Sequence, residues 1–249
     1  MGDSWVINGP RTRDKRVRKM TNIAVILAGG IGSRVGGSTP KQLLPLADGR
    51  SILEHAIDAF EQASCIDEIA VVMHPEWMDE AKALVERNSW GKVTTIIPGG
   101  NERWESSWHA ILAYMDRSED LNLWLHDAAR PFVSQRILSD IAKALEEHEA
   151  VTVAVPVTDT LYKVQREEVQ GIKEAIVSAV PERAAYMRAQ TPQAFRFELV
   201  SGAYMKALAE DGIIATDDVG IVRKYEPRHP IFIVEGDEQN RKITYREDL

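Results

Sequence analysis

Cysteine is nearly missing. Cys65 stands alone in 249 residues, which excludes an intrachain disulfide and any cysteine-based zinc cluster. Aromatic residues make up only 7% of the chain. No apolar run approaches the ~20 residues of a membrane-spanning helix, and the basic N-terminal segment is not followed by the apolar stretch of a signal peptide. A phosphate-loop ending of the Gly-Lys-Ser/Thr kind is absent, as is any Ser–His–Asp or Cys–His pattern for covalent catalysis. Positive charge is also in short supply: 30 Lys and Arg stand against 38 Asp and Glu, for a net charge of -8. Residues 1–20 hold six of those cations (Arg11, Arg13, Lys15, Arg16, Arg18, Lys19) against Asp3 and Asp14, so the rest of the chain is more acidic than the total suggests. A body of that sign repels nucleic acid. Neither a nucleic-acid nor a membrane partner is expected, the expected location is cytoplasmic, and any anionic ligand must be met by a few local cations.

What is present is an alternation. Ile23–Ala28, Glu68–Met73, Val93–Pro98, Leu121–His126 and Val151–Val157 are short apolar runs of the kind that form buried strands. Between them, Ser51–Ala63, Pro75–Asn88, Asn101–Met115 and Ser134–Glu147 have helical spacing, the first opened by a Ser51/Glu54 capping-box pattern. This rhythm predicts an α/β fold: a mostly parallel sheet with helices on both faces. It breaks after Pro156. Thr160–Val164 and Ala175–Val180 flank a charged turn, Gln165–Gly171, and predict a protruding β-arm at about 158–182. A helix over Phe197–Glu210 and late strands over Ile231–Glu235 and Arg241–Tyr245 are expected beyond it. Residues 21–249 are read as one domain. Residues 1–20 are read as a disordered basic segment or a mis-assigned start, with Met20 as the alternative initiator and a nucleic-acid arm as the minor alternative.

The strongest local feature is Ala28-Gly29-Gly30-Ile31-Gly32-Ser33-Arg34, followed by Pro40-Lys41-Gln42. Adjacent glycines after a buried strand let the backbone approach a ligand and turn its N–H groups toward phosphate oxygens. A dinucleotide-binding fingerprint fits poorly, because Val35 stands where the third glycine belongs. A nucleotidyltransferase loop, with Arg34 and Lys41 against a triphosphate, fits better than a plain tight turn.

In chain order, this loop, Gly99-Gly100-Asn101-Glu102-Arg103, His126-Asp127-Ala128-Ala129-Arg130-Pro131 and Thr191-Pro192-Gln193 resemble the polyol-phosphate cytidylyltransferases from about Ile23 to Leu249. The resemblance implies a Rossmann-like fold of the nucleotide-diphospho-sugar transferase type. It also implies CTP as donor, a polyol phosphate as acceptor, Mg²⁺ as cofactor and a homodimer joined through the arm. Arg34, Lys41 and Lys242 would be catalytic. Ala28, Gly29, Gly30, Gly32, Gly100, Asn101 and Ser106 would hold the nucleotide. Asp127, Arg130, Thr160, Arg183 and Thr191 would meet the substrates, with Asp127 also the metal ligand. Thr160 and Arg183 would serve the neighbouring subunit. His126 is read as structural, and Trp104 and Trp108 as packing residues. The expected acceptor is 2-C-methyl-D-erythritol 4-phosphate, with ribitol 5-phosphate as the alternative; a sugar-phosphate nucleotidyltransferase using another base, or a nucleotide binder without turnover, stay open. Departures from the family pattern are Asn101, Glu105, Gln239 and Arg241, and the chain ends where relatives usually continue into a helix.

Overall fold

The computed structural model describes residues 20–30, 39–117, 120–169, 172–210, 213 and 215–248. Five of the apolar runs form parallel strands: β1 (Thr21–Ala28), β2 (Glu68–Met73), β3 (Val93–Pro98), β4 (Leu121–Asp127) and β5 (Ala150–Pro156). Helices α1 (Ile52–Glu61), α2 (Met78–Asn88), α3 (Arg103–Ala113) and α4 (Gln135–Glu147) join them, within two residues of the expected bounds except at the start of α2, where Pro75–Trp77 forms a 3-10 turn ahead of the helix. The arm strands are β6 (Lys163–Val169) and β7 (Ile172–Ala179), and beyond them come β8 (Met187–Arg196), α5 (Phe197–Leu208), α6 (Asp218–Tyr225) and β9 (Phe232–Glu235). The main sheet has the order β3-β2-β1-β4-β8-β5-β9.

Alternation along β1 divides the core. Ala24, Ile26 and Ala28 pack with Leu53, Phe60, Ile137 and Ile141 of α1 and α4 on one face. Ile23, Val25 and Leu27 pack with Ala110, Ile111, Phe197 and Tyr204 of α3 and α5 on the other. Successive strand side chains point to opposite faces, so a continuous apolar run is what a strand covered on both sides requires. Trp104 and Trp108 pack against this second core, and Trp108 stacks on Tyr204 with ring centroids 6.2 Å apart. They are packing residues, as read from the sequence.

Several elements differ from expectation. β8 had no counterpart in the sequence reading. It lies antiparallel between β4 and β5, and the interior Pro192 masked it. α6 is eight residues long, too short for its Ile221 and Val222 to show helical spacing. Arg241–Tyr245 is not a strand; Ile243 donates its N–H to the Ala129 carbonyl at 2.8 Å, and the segment lies over the strand ends as a strap. In the arm, both strands extend further toward the turn than expected, pairing Val164 with Val177 and Val169 with Ile172. Among the described residues, no helix is long and apolar enough to cross a membrane.

The predicted capping box is present. The Glu54 N–H donates to Ser51 Oγ, and Glu54 Oε2 accepts from the Ser51 N–H at 2.8 Å. Burial pushes the Glu54 carboxyl up, but the Ser51 N–H, Arg87, the Ser51 hydroxyl and Asn88 outweigh it and hold the pKa at about 2. A carboxylate depressed from 4.5 to about 2 stabilises the fold fully above pH 4.5 and loses that contribution as pH falls through 2. Glu54→Gln is therefore expected to cost up to ~3 kcal/mol at pH 7 and to flatten the loss of stability between pH 4.5 and 2. Denaturant titrations of both proteins across that range check this; parallel pH profiles would contradict it.

Candidate active site

The site lies beyond the carboxyl ends of β1, β3 and β4. β1 runs into Ala28, Gly29 and Gly30. Gln42 is buried and donates Nε2 to the Ala28 carbonyl at 2.8 Å and the Gly30 carbonyl at 2.6 Å, which fixes this turn from below. Gln42 belongs to a short 3-10 turn, Lys41–Leu43, and its neighbour Lys41 donates Nζ to the Ile243 carbonyl at 2.7 Å. Two expected residues, Gly32 and Arg34, lie outside the described residues.

The turn after β3 meets the turn after β1 at a place where side chains do not fit. A Cβ on Gly29 would stand 2.9 Å from Ser106 Oγ and 3.2 Å from the Gly99 Cα, and one on Gly99 would stand 2.9 Å from the Gly29 Cα. Ser106 accepts from the Gly100 N–H at 3.1 Å. Glu105 accepts from the Asn101 N–H at 2.7 Å and completes a capping box with Glu102 at the start of α3. The Gly100–Asn101 backbone is thus held rigidly at the cleft by residues of the helix that follows.

Asp127 ends β4 in the middle of a charge cluster. Its Oδ1 accepts from Arg103 Nε at 2.9 Å and its Oδ2 from Lys242 Nζ at 2.8 Å. Arg103 also donates to Asp218 Oδ2 at 2.8 Å. Burial pushes the Asp127 carboxyl up, but the adjacent Arg103 and Lys242 charges prevail and hold it well below the usual carboxylate range. Asp127 is an anion at any physiological pH.

Behind it runs a neutral relay. The Asp127 N–H donates to Thr191 Oγ1 at 3.2 Å, and Thr191 Oγ1 contacts His126 Nδ1 at 3.1 Å. His126 Nε2 lies 3.0 Å from the Arg130 carbonyl. A carbonyl only accepts, so Nε2 carries the proton and Nδ1 accepts from Thr191. Burial lowers the His126 pKa to about 4, consistent with the structural role expected for it. Thr191 is buried and reaches the site through Asp127. Arg130 donates to the Asn240 carbonyl at 2.8 Å and the Ala189 carbonyl at 3.2 Å, tying the strap to β8. It does not line the cleft described next.

Lys41, Gln42, Asp127 and Lys242 line one cleft of about 380 Å³ together with Gly29, Gly30, Gly100, Asn101 and Ser106. Thr160 and Arg183 do not line it. Both are exposed at the base of the arm, where Arg183 donates to the Thr158 carbonyl at 2.6 Å. Arg103 also lines the cleft but was not singled out from sequence, where only its place in the Gly99–Arg103 string marked it. Its partner Asp218 carried no signal for this contact.

Ligands of open α/β sheets sit beyond the strand ends. Glycine turns, lysines and one ionised aspartate around a cleft suit transfer between phosphates, the work of a nucleotidyltransferase. Comparison with known proteins makes the class specific: residues 22–249 match the family described as 2-C-methyl-D-erythritol 4-phosphate cytidylyltransferase, and the chain belongs to it. A relative of that name from Thermobifida fusca is 45% identical over 226 residues, covering 91% of this chain and 89% of that protein. A bifunctional ribulose 5-phosphate reductase/CDP-ribitol pyrophosphorylase from Haemophilus influenzae is 38% identical, over 94% of this chain and 48% of that protein. The solved structure of 4-diphosphocytidyl-2C-methyl-D-erythritol synthase from Anaerococcus prevotii superimposes with a TM-score of 0.77 at 27% identity, over 92% of this chain and 93% of that one.

Proposed function

We propose that the protein joins CMP from CTP to the phosphate of 2-C-methyl-D-erythritol 4-phosphate and releases pyrophosphate, working in the cytoplasm as a homodimer. The observation that carries this is the meeting of Lys41 and Lys242, from opposite ends of the chain, with Asp127 and two glycine turns around one cleft.

The chemistry needs no protein nucleophile. An acceptor phosphate oxygen, already anionic, attacks the α-phosphorus of CTP, and the bond to pyrophosphate breaks. The protein holds two anions together and in line while charge redistributes at the α-phosphate. Lys41 and Lys242 supply local positive charge in an acidic molecule, joined by Arg34 of the glycine loop. N–H groups of the Gly29–Gly30 turn approach the triphosphate. The Gly100–Asn101 backbone and Ser106 read the cytosine edge, where a purine would not fit. Thr191 and Arg130 shape the acceptor side through the strand end and the strap.

Asp127 is the residue that would hold Mg²⁺. The donor set fits that ion: Mg²⁺ is commonly bound by one or two carboxylates together with phosphate oxygens and water. Each carboxylate oxygen keeps a second lone pair beyond the one given to Arg103 or Lys242. When bound, the ion would neutralise phosphate charge.

For the dimer, support comes from the arm. Tyr162, Val164, Ile176, Val177, Val180 and Tyr186 are 44–61% exposed, and a two-stranded hairpin is marginal in water without something to pack on. Val164 and Val177 are cross-strand partners and share a face. Val164→Asp/Val177→Asp is expected to give monomers by light scattering and to lower turnover about tenfold or more, because Thr160 and Arg183 no longer reach the neighbouring site. A fully active monomer would contradict this.

The similarity to the CDP-ribitol pyrophosphorylase favours ribitol 5-phosphate as the second reading of the acceptor. One experiment separates the readings: pyrophosphate release with CTP, ATP, GTP or UTP against both acceptors. Release with CTP and the methylerythritol phosphate alone is the expected result. Turnover only with ribitol 5-phosphate selects the second reading, and CTP uptake without release with either acceptor overturns both.

A further inference from the structure

We propose that Arg103 is a positioning residue of the transfer reaction: braced on the buried Asp218, it fixes the Asp127 carboxylate so that Lys242 stays available to the nucleotide. This rests on the cytidylyl-transfer reading. The fork is specific. Arg103 gives Nε to Asp127 Oδ1 at 2.9 Å and a terminal nitrogen to Asp218 Oδ2 at 2.8 Å. Asp218 is fully buried and is itself fixed, accepting from the Tyr204 hydroxyl at 2.6 Å and donating its N–H to Gln193 Oε1 at 3.1 Å.

Two observations argue against a purely architectural role. Arg103 is the first residue of α3, where a cation opposes the positive end of the helix dipole. Its other terminal nitrogen is buried with no hydrogen-bond partner, an arrangement that stability alone does not favour. What the fork does achieve is geometric. Arg103 engages Oδ1 while Lys242 engages Oδ2, so the carboxylate plane is fixed and its charge is shared between the two cations. Without Arg103, the whole carboxylate charge is left to Lys242, which it holds more tightly and away from phosphate. Because Arg103 directly follows the Gly99–Glu102 turn, the same side chain ties the base-reading backbone to the carboxylate at the reacting end of the nucleotide.

The test is a double-mutant cycle on the full chain, with kcat and CTP KM measured per folded molecule and thermal unfolding followed in parallel. Arg103→Met is expected to lower kcat roughly 10–100-fold with CTP KM within about threefold. Arg103→Lys is expected to restore little of it, since one ammonium does not span both carboxylates, and Asp218→Asn to lower kcat in the same direction. Arg103→Met combined with Asp127→Asn is expected to be no slower than Asp127→Asn alone. Additive losses, or a normal kcat per folded molecule, overturn the proposal. If Arg103→Met does not fold, Arg103→Lys takes its place in the cycle; failure of both to fold assigns Arg103 to the scaffold and also overturns it. A wild-type chain that releases no pyrophosphate from CTP with either acceptor overturns the transfer reading itself, a result distinct from an additive cycle in an active enzyme.

Discussion

Lys41→Ala is expected to lower kcat/KM for CTP about 10²–10³-fold, the loss typical of removing one preorganised donor from a site of developing charge. Lys41 sits on a turn held in place by its neighbour: Gln42 grips the Ala28 and Gly30 carbonyls, while Lys41 itself reaches the strap at the Ile243 carbonyl. The half-buried lysine contributes little to the core, so stability is expected to change by about 1 kcal/mol or less. Steady-state kinetics with CTP, alongside thermal unfolding, checks both halves. Near-normal kinetics in a folded variant would remove Lys41 from the reaction.

Asp127→Asn is expected to have the larger effect on the fold. The carboxylate balances Arg103 and Lys242 at once, and its loss leaves Lys242 facing a neutral amide and Arg103 paired with Asp218 alone. Breaking a buried pair in this way costs roughly 3–5 kcal/mol, which lowers Tm by roughly 10 °C in a chain of this size. Turnover is expected to fall steeply, and the Mg²⁺ concentration needed for half-maximal rate to rise. A calorimetric scan and a metal titration measure the two separately. An unchanged metal titration in a slow, folded variant would make Asp127 an orienting anion and not a metal ligand.

Most of the sheet was legible because a strand covered on both faces needs a mostly apolar run: β1 and β2 carry unbroken ones, and β4 and β5 are each interrupted by a single polar residue, Asn122 and Thr152, before their polar or proline ends. α1 announced itself through Ser51 and Glu54. β8 did not, because Pro192 interrupts its pattern and its first three residues are exposed. Arg241–Tyr245 misled for the opposite reason: Ile243 and Tyr245 alternate with polar residues as in a strand, yet the segment bonds to a turn and to side chains of the site. Lys41, Asp127 and the glycine turns were readable as local motifs. Arg103 and Asp218 stood within family-like strings, but their pairing was not legible, because a contact between the start of α3 and the start of α6 is made by tertiary folding.

Gly29 and Gly99 touch backbone to backbone, with no room for even a methyl group between them. The two turns therefore form one seam, and the cleft has no hinge on that side. Any widening to admit a bulkier nucleotide or acceptor has to come from the opposite wall, where Lys41 donates a hydrogen bond to the Ile243 carbonyl of the strap. Efforts to broaden the substrate range of this scaffold belong on that wall, and alanine at either glycine is expected to deform both turns together.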